Sequence, residues 1–147
     1  MQKASQKTKK KFLISRKEIS AKKSLTDGVK QEEGMIDTFA FGSIVIDGRR
    51  YASDLLIYPD GHVQDAWRRG RGHVLSQKDI AALIACKPEI IIAGTGVNGR
   101  MRPEGDLERV LSQRNIRFMA APNDRAIQWF NDLCQGSTVG ACFHLTC

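Results

Sequence analysis

The 147-residue sequence has little of what marks a secreted, membrane-spanning or disulfide-framed protein. No apolar run approaches the roughly 20 residues that a helix needs to cross a bilayer. In the first thirty positions the longest apolar stretch is Phe12-Leu13-Ile14, too short for the core of a secretory signal. That segment is rich in Lys where a mitochondrial presequence favours Arg. The four cysteines, Cys86, Cys134, Cys142 and Cys147, include no Cys-x-x-Cys pair, which argues for a reducing compartment and against a disulfide framework. A cytoplasmic location is the expectation. Acidic residues are also scarce at one end: residues 1–30 hold only Glu18 and Asp27 against ten Lys/Arg, while the other thirteen of the 23 Lys/Arg face fourteen of the 16 Asp/Glu. The net charge of +7 therefore belongs to a tail on a near-neutral body.

The tail, residues 1–34, has too few apolar residues to offset the entropy of ordering and is expected to be disordered. Such a segment can bind nucleic acid or an anionic membrane, although charge runs more often serve only as solvated extensions. Residues 35–147 have the length and apolar content of a single domain.

Within that domain the first pattern is strand-like. Asp47-Gly48 separates TFAFGSIVI from YASDLLIY, a strong hairpin cue, and Pro59-Asp60-Gly61 turns the chain into a third short strand, 62–67. A helical pattern follows, with Ser76 as N-cap, Asp79 three residues on, and a stripe of Ile80, Leu83 and Ile84. Ile90-Ile91-Ile92 reads as a strand buried on both faces. The next helix is expected to open at Pro103, the next strand to cover 116–121, a third helix to follow Pro122-Asn123-Asp124, and a final strand to run over 139–146. This alternation predicts a three-layer α/β domain with a mixed central sheet, an N-terminal antiparallel hairpin followed by βαβαβ, Rossmann-like only in outline.

Gly94-Thr95-Gly96-Val97-Asn98-Gly99 spells the G-x-G-x-x-G of dinucleotide-binding loops. Its context fails. Arg100, Met101 and Arg102 separate the glycines from the expected helix, and the following strand ends in Ala120-Ala121-Pro122 without the acidic residue that holds a ribose. A lesser reading survives, a small-anion or ligand site formed by Gly94, Thr95, Gly96, Arg100 and Arg102 at a strand's carboxyl end. The alternative is a tight turn in which Gly94 and Gly96 take positive φ. At the other end, Cys142 and His144 fall on one face of an extended strand, with Cys147 on the opposite face, so only two soft ligands converge unless His62 or His73 joins them. No metal site is therefore expected, and His144 and Cys147 are the residues left to carry any chemistry. Trp67, Arg68, Arg69 and His73 form a candidate interaction surface, the alternative being that Trp67 is core. Tyr51 and Asp54 show no partner in the sequence and read as structural.

Taken together, several of these residues resemble a known family. They are Gly48, Tyr51 and Asp54, then Trp67 and His73, then Gly94-Thr95-Gly96, then Ala126, Asn131 and Leu133, and the closing Val139-x-x-x-Phe143-His144-x-Thr146-Cys147. The body resembles the small α/β family of archaeal, bacterial and mitochondrial proteins that includes a respiratory complex I assembly factor and an adipogenesis-associated protein. The resemblance implies a three-layer domain with a mixed sheet, brings no cofactor or catalytic set, and suggests an accessory role in assembling a respiratory complex. Asn123 departs from it, standing where a Thr often precedes the last helix, and so does the basic tail. The leading expectation is a non-enzymatic accessory protein with an unidentified protein partner. A small-anion enzyme or binding domain at Gly94–Arg102 is the alternative, and a tail-mediated tether is the third.

Overall fold

In the computed structural model, which describes residues 35–147, Ile90, Ile91 and Ile92 lie on a central strand that sends successive side chains to opposite faces. Ile91 and Ala93 pack into one apolar cluster with Leu83, Leu107, Leu111 and Trp67. Ile90 and Ile92 pack into the other with Ile44, Ile46, Ala126, Phe130 and Phe143. Burying a side chain such as Phe130 or Phe143 contributes about 1.5–3 kcal/mol, and each cluster holds about a dozen such groups. The basic segment 1–34 lies outside the described residues, and so do the readings of it as disordered and as a tether.

The order of elements is β1 (Ile36–Ala40), β2 (Ser43–Ile46), β3 (Arg49–Tyr51), β4 (Leu55–Ile57), β5 (Val63–Gln64), β6 (Val74–Leu75), a 3-10 turn (Lys78–Ile80) running into α1 (Ala81–Ala85), β7 (Ile90–Gly94), β8 (Arg102–Pro103), α2 (Leu107–Ser112), β9 (Arg117–Ala121), α3 (Asn123–Leu133) and β10 (Val139–Phe143). The main sheet has the order β5-β4-β10-β7-β9. β10, β7 and β9 are parallel, and β4 and β5 add antiparallel pairings. On one face lie α1 and α2; on the other lie α3 and the antiparallel sheet β1-β2-β3. This is a three-layer α/β domain with a mixed central sheet, as the pattern of the sequence predicts. Asn131 ties α3 to β1, donating to the Ile36 carbonyl and accepting from the Ile36 amide, both at 2.9 Å. Among the described residues no helix is long and apolar enough to cross a membrane.

The Asp47-Gly48 hairpin forms with positive φ at both residues, 51° and 81°, the primed geometry that matches strand twist. Ser76 and Asp79 form a reciprocal cap: the Ser76 amide donates to Asp79 Oδ2 at 2.8 Å, and the Asp79 amide donates to Ser76 Oγ at 3.3 Å. Elsewhere local pattern misplaces boundaries. TFAFGSIVI is two strands, folded back at Phe41-Gly42. The stretch 51–58 is also two pieces in different sheets, because the chain bends at Ser53-Asp54. The strand expected over 62–67 stops at Gln64, since Ala66 takes φ 55°. Pro103 does not open a helix. It pairs in β8 with β6, where the Arg102 and Glu104 amides donate to His73 and Leu75 carbonyls, so the amide that proline lacks is not needed.

Candidate functional site

The antiparallel register places Leu55 opposite Phe143. One step beyond that pair, Asp54 meets His144 just outside the carboxyl end of β10, where open α/β sheets hold their ligands. The parallel partner β7 ends beside them, and the His144 amide donates to the Gly94 carbonyl at 3.0 Å. Asp54 ties two other segments to its own. Its Oδ2 lies 2.8 Å from His144 Nδ1 and 2.9 Å from Arg69 Nη1, while its Oδ1 accepts the Leu145 amide at 2.8 Å. Burial pushes the Asp54 carboxyl up, but the hydrogen bonds from His144, the Leu145 amide and Arg69 together outweigh it and hold the group below the ordinary carboxylate range.

An ionised carboxylate only accepts, so His144 Nδ1 donates to Asp54, and Nε2 is the nitrogen turned away from it, 3.5 Å from Thr146 Oγ1. Arg69 Nη2 stands 3.2 Å from the same Nδ1 and balances the Asp54 charge. The His144 and Arg69 side chains are 7% and 8% exposed, so this three-residue centre is largely withdrawn from water. The loop bearing Arg69 is pinned by the Trp67 amide donating to the Asp54 carbonyl and by the guanidinium lying 5.1 Å from the Trp67 ring centroid.

This geometry divides the candidate interaction surface. Trp67 is buried in the core at 6% exposure, with its indole N–H donating to the Asp79 carbonyl, so it is not a surface residue. Arg69 is likewise interior, ion-paired to Asp54. Arg68 and His73 remain exposed.

The glycine loop is closed on its own chain. The amides of Thr95, Gly96, Val97, Asn98, Gly99, Arg100, Met101 and Arg102 donate in turn to Ala121 O, Asn123 Oδ1, Thr146 O, Cys147 O, Gly96 O, Cys147 O, Thr95 O and His73 O. A cradle of free N–H groups for an anion does not exist in this arrangement, which leaves the exposed Arg100 and Arg102 side chains as the loop's means of attracting one. Gly96 has φ 110°, and a Cβ there would run into the Cys147 backbone. Gly94 has an ordinary φ, contrary to the turn reading; it is glycine for space, since a Cβ would run into the Phe143 ring and the Asn123 amide.

The soft ligands also regroup. Cys142 is in the core, where burial pushes its thiol up to about 12. Regular strand ends at Phe143, so the alternation that put Cys147 on the far face from His144 does not apply. Cys147 comes to the His144 side, together with His73, and one donor atom of each lies within 4.8 Å of the others. The His73 and His144 rings meet edge to face at 5.5 Å. His62 is elsewhere, stacked on Tyr58 at 4.3 Å and paired with Asp60.

Two residues of the centre are not among the candidate site residues of the sequence: Asp54, which reads there as structural, and Asn123. Asp54 is the hub, and the register of β4 against β10 is what makes it so. Asn123 is fully buried; its Oδ1 accepts the Gly96 amide at 3.0 Å and its Nδ2 donates to the His144 carbonyl at 2.8 Å, which locks the loop, α3 and the His144 backbone together.

Comparison with known proteins follows the fold. A family model described as a protein of unknown function (DUF498/DUF598) matches residues 36–144. A search of the curated proteins found no match to this chain. Among solved structures, the conserved hypothetical protein PH1505 from Pyrococcus horikoshii OT3 superposes with TM-score 0.68 at 21% identity, over 76% of this chain and 98% of that one. The protein named MT938 gives 0.63 at 30% identity, over 77% and 98%. A protein described as an outer membrane protein from Bartonella henselae gives 0.64 at 20% identity, over 79% and 98%.

Proposed function

The chain belongs to the DUF498/DUF598 family of proteins of unknown function, and from that premise we propose that it is a non-enzymatic accessory protein that captures a small ligand at the Asp54–His144 centre. One observation carries the reading. Asp54 draws Arg69 and the consecutive His144 and Leu145 amide together from two segments other than its own, and its bond to His144 Nδ1 leaves Nε2 with Thr146 Oγ1 at 3.5 Å as its contact, in a group with Cys147 and His73. Donors held in place before a ligand arrives reduce the entropy lost on binding. The test is a thermal-shift screen of the full chain against NAD, FAD, ATP, phosphate, simple carboxylates and zinc. A saturable rise that disappears in His144→Ala, and falls in Cys147→Ser, is the expected outcome, because a ligand of the native state stabilises it by mass action. No rise with any of them, or a rise that His144→Ala leaves intact, overturns the reading.

A second reading is protein docking at the same end of the sheet, of which assisting the assembly of a respiratory complex is the form that the family resemblance implies. It is favoured by Phe41 and Val97, exposed at 67% and 39%, which flank the His144–Cys147 segment: Gly42 donates to the Leu145 carbonyl and Val97 to the Thr146 carbonyl. Both readings suit a reducing, cytoplasmic setting in which Cys147 remains a thiol.

A further inference from the structure

We infer that the centre takes a soft divalent cation, zinc foremost, with His73, His144 and Cys147 as its protein ligands and Asp54 as the residue that positions His144. The inference rests on the reading of this centre as a binding site and names its ligand.

The donor set comes first. Two imidazoles and a thiol, with no carboxylate oxygen among them, suit zinc and its neighbours rather than calcium or magnesium. Geometry comes second. Three donor atoms no more than 4.8 Å apart share a point at most about 2.8 Å from each. Zinc needs about 2.0–2.3 Å to nitrogen and sulfur, so a shift of under about 1 Å closes the site. His73 is exposed and Cys147 partly so, which leaves both free to make that shift. Their backbones are anchored: the His73 carbonyl accepts the Arg102 amide at 2.7 Å, and the Cys147 backbone oxygen accepts the amides of Asn98 and Arg100.

The surroundings come third. A metal-bound histidine usually donates its other ring N–H to a carboxylate, and His144 Nδ1 does so to Asp54 at 2.8 Å, which leaves Nε2 for the metal in place of its 3.5 Å contact with Thr146 Oγ1. Arg69 would oppose a cation, but Asp54 neutralises it at 2.9 Å. On binding, the Cys147 Sγ–H bond gives way to an Sγ–metal bond and the proton passes to solvent; no electron is transferred. Three protein ligands leave a fourth position open, the arrangement of zinc sites that also hold water or a further ligand.

Cobalt(II) is the probe. The full chain, stripped with EDTA and kept reduced, is titrated with cobalt and followed by absorption. The expected result is a saturating thiolate-to-cobalt charge-transfer band with intense d–d bands of tetrahedral character, displaced by zinc. Cys147→Ser loses the charge-transfer band, His73→Ala loses tetrahedral intensity, and Cys86→Ser, on the exposed cysteine remote from the centre, keeps both. Asp54→Asn keeps the band but weakens affinity about 10–100-fold, the usual effect of removing a carboxylate behind a ligating histidine. His73 and Cys147 lie outside the core, and circular dichroism confirms that their variants fold. No cobalt band in folded wild type, or an undiminished band in Cys147→Ser and His73→Ala, overturns the inference. Should cobalt fail while a nucleotide, phosphate or carboxylate still gives a His144-dependent thermal shift, the metal assignment falls and the binding centre stands.

Discussion

Asn123→Ala is the substitution that most directly tests how the centre is held. The side chain is fully buried and makes two hydrogen bonds, accepting from the Gly96 amide and donating to the His144 carbonyl. Truncation removes both and leaves a backbone N–H and a backbone C=O with no partner in the interior. Each orphaned group costs about 1–3 kcal/mol. Some relaxation is available, because the loop is one residue from the exposed Val97 and water can reach the Gly96 amide if the turn opens. We therefore expect a loss of about 2–4 kcal/mol, a large part of a net stability of about 5–15 kcal/mol. At about 4 °C per kcal/mol for a domain of this size, the melting temperature falls by roughly 8–16 °C. Urea denaturation of the full chain supplies the free energy, and differential scanning calorimetry supplies the temperature. Asn123→Asp is the companion variant: it preserves the acceptor towards Gly96 but faces the His144 carbonyl with oxygen instead of N–H, so it should be at least as destabilising near neutral pH. A change below about 0.5 kcal/mol in Asn123→Ala would be that of an ordinary surface substitution, and it would refute the claim that these two bonds hold the loop to α3.

Gly94→Ala should destabilise by about 1–3 kcal/mol through overpacking against Phe143 and Asn123, and a neutral result by urea denaturation would show that the two side chains move aside. Trp67→Ala should lower stability by about 3–5 kcal/mol, a core-truncation effect; a variant with unchanged melting would return Trp67 to the surface. The depressed carboxyl of Asp54 binds fewer protons folded than unfolded. The stability it contributes is therefore complete above the unfolded carboxylate pKa of about 4 and is lost as pH falls through the lower folded value. Urea midpoints of wild type and Asp54→Asn measured from neutral pH downwards should converge in that acid range, and a constant gap across it would refute the assignment.

The layers of the domain are legible because they follow from short-range rules. The continuous apolar run Ile90-Ile91-Ile92, buried on both faces, the Asp47-Gly48 turn and the Ser76–Asp79 cap each depend on residues within a few positions of one another. The centre is not of that kind. Asp54 and His144 are 90 positions apart, and nothing near either residue says that β10 pairs with β4. Cys147 is a related case: extending strand alternation past Phe143 puts it on the wrong face, whereas the amides of Asn98 and Arg100 hold its backbone out of that line. The glycine loop shows the reverse case. Its letters suggest an anion cradle, but its amides are taken by the segment that carries His144 and Cys147.

The position of β10 between β4 and β7 has a consequence for biosynthesis. The strand that joins the antiparallel half of the sheet to the parallel half leaves the ribosome after both. Some 86 residues separate Ile57 from Phe143, which at about 5–20 residues per second is roughly 4–17 s of translation. Throughout that interval β4, and from the completion of Gly94 onwards β7 as well, presents an open edge to whatever else is in solution, the condition under which strands pair with the wrong partner. A message that ends between Ala121 and Val139 therefore yields two unjoined half-sheets with exposed edges, a ready target for proteolysis, and not a shortened working domain.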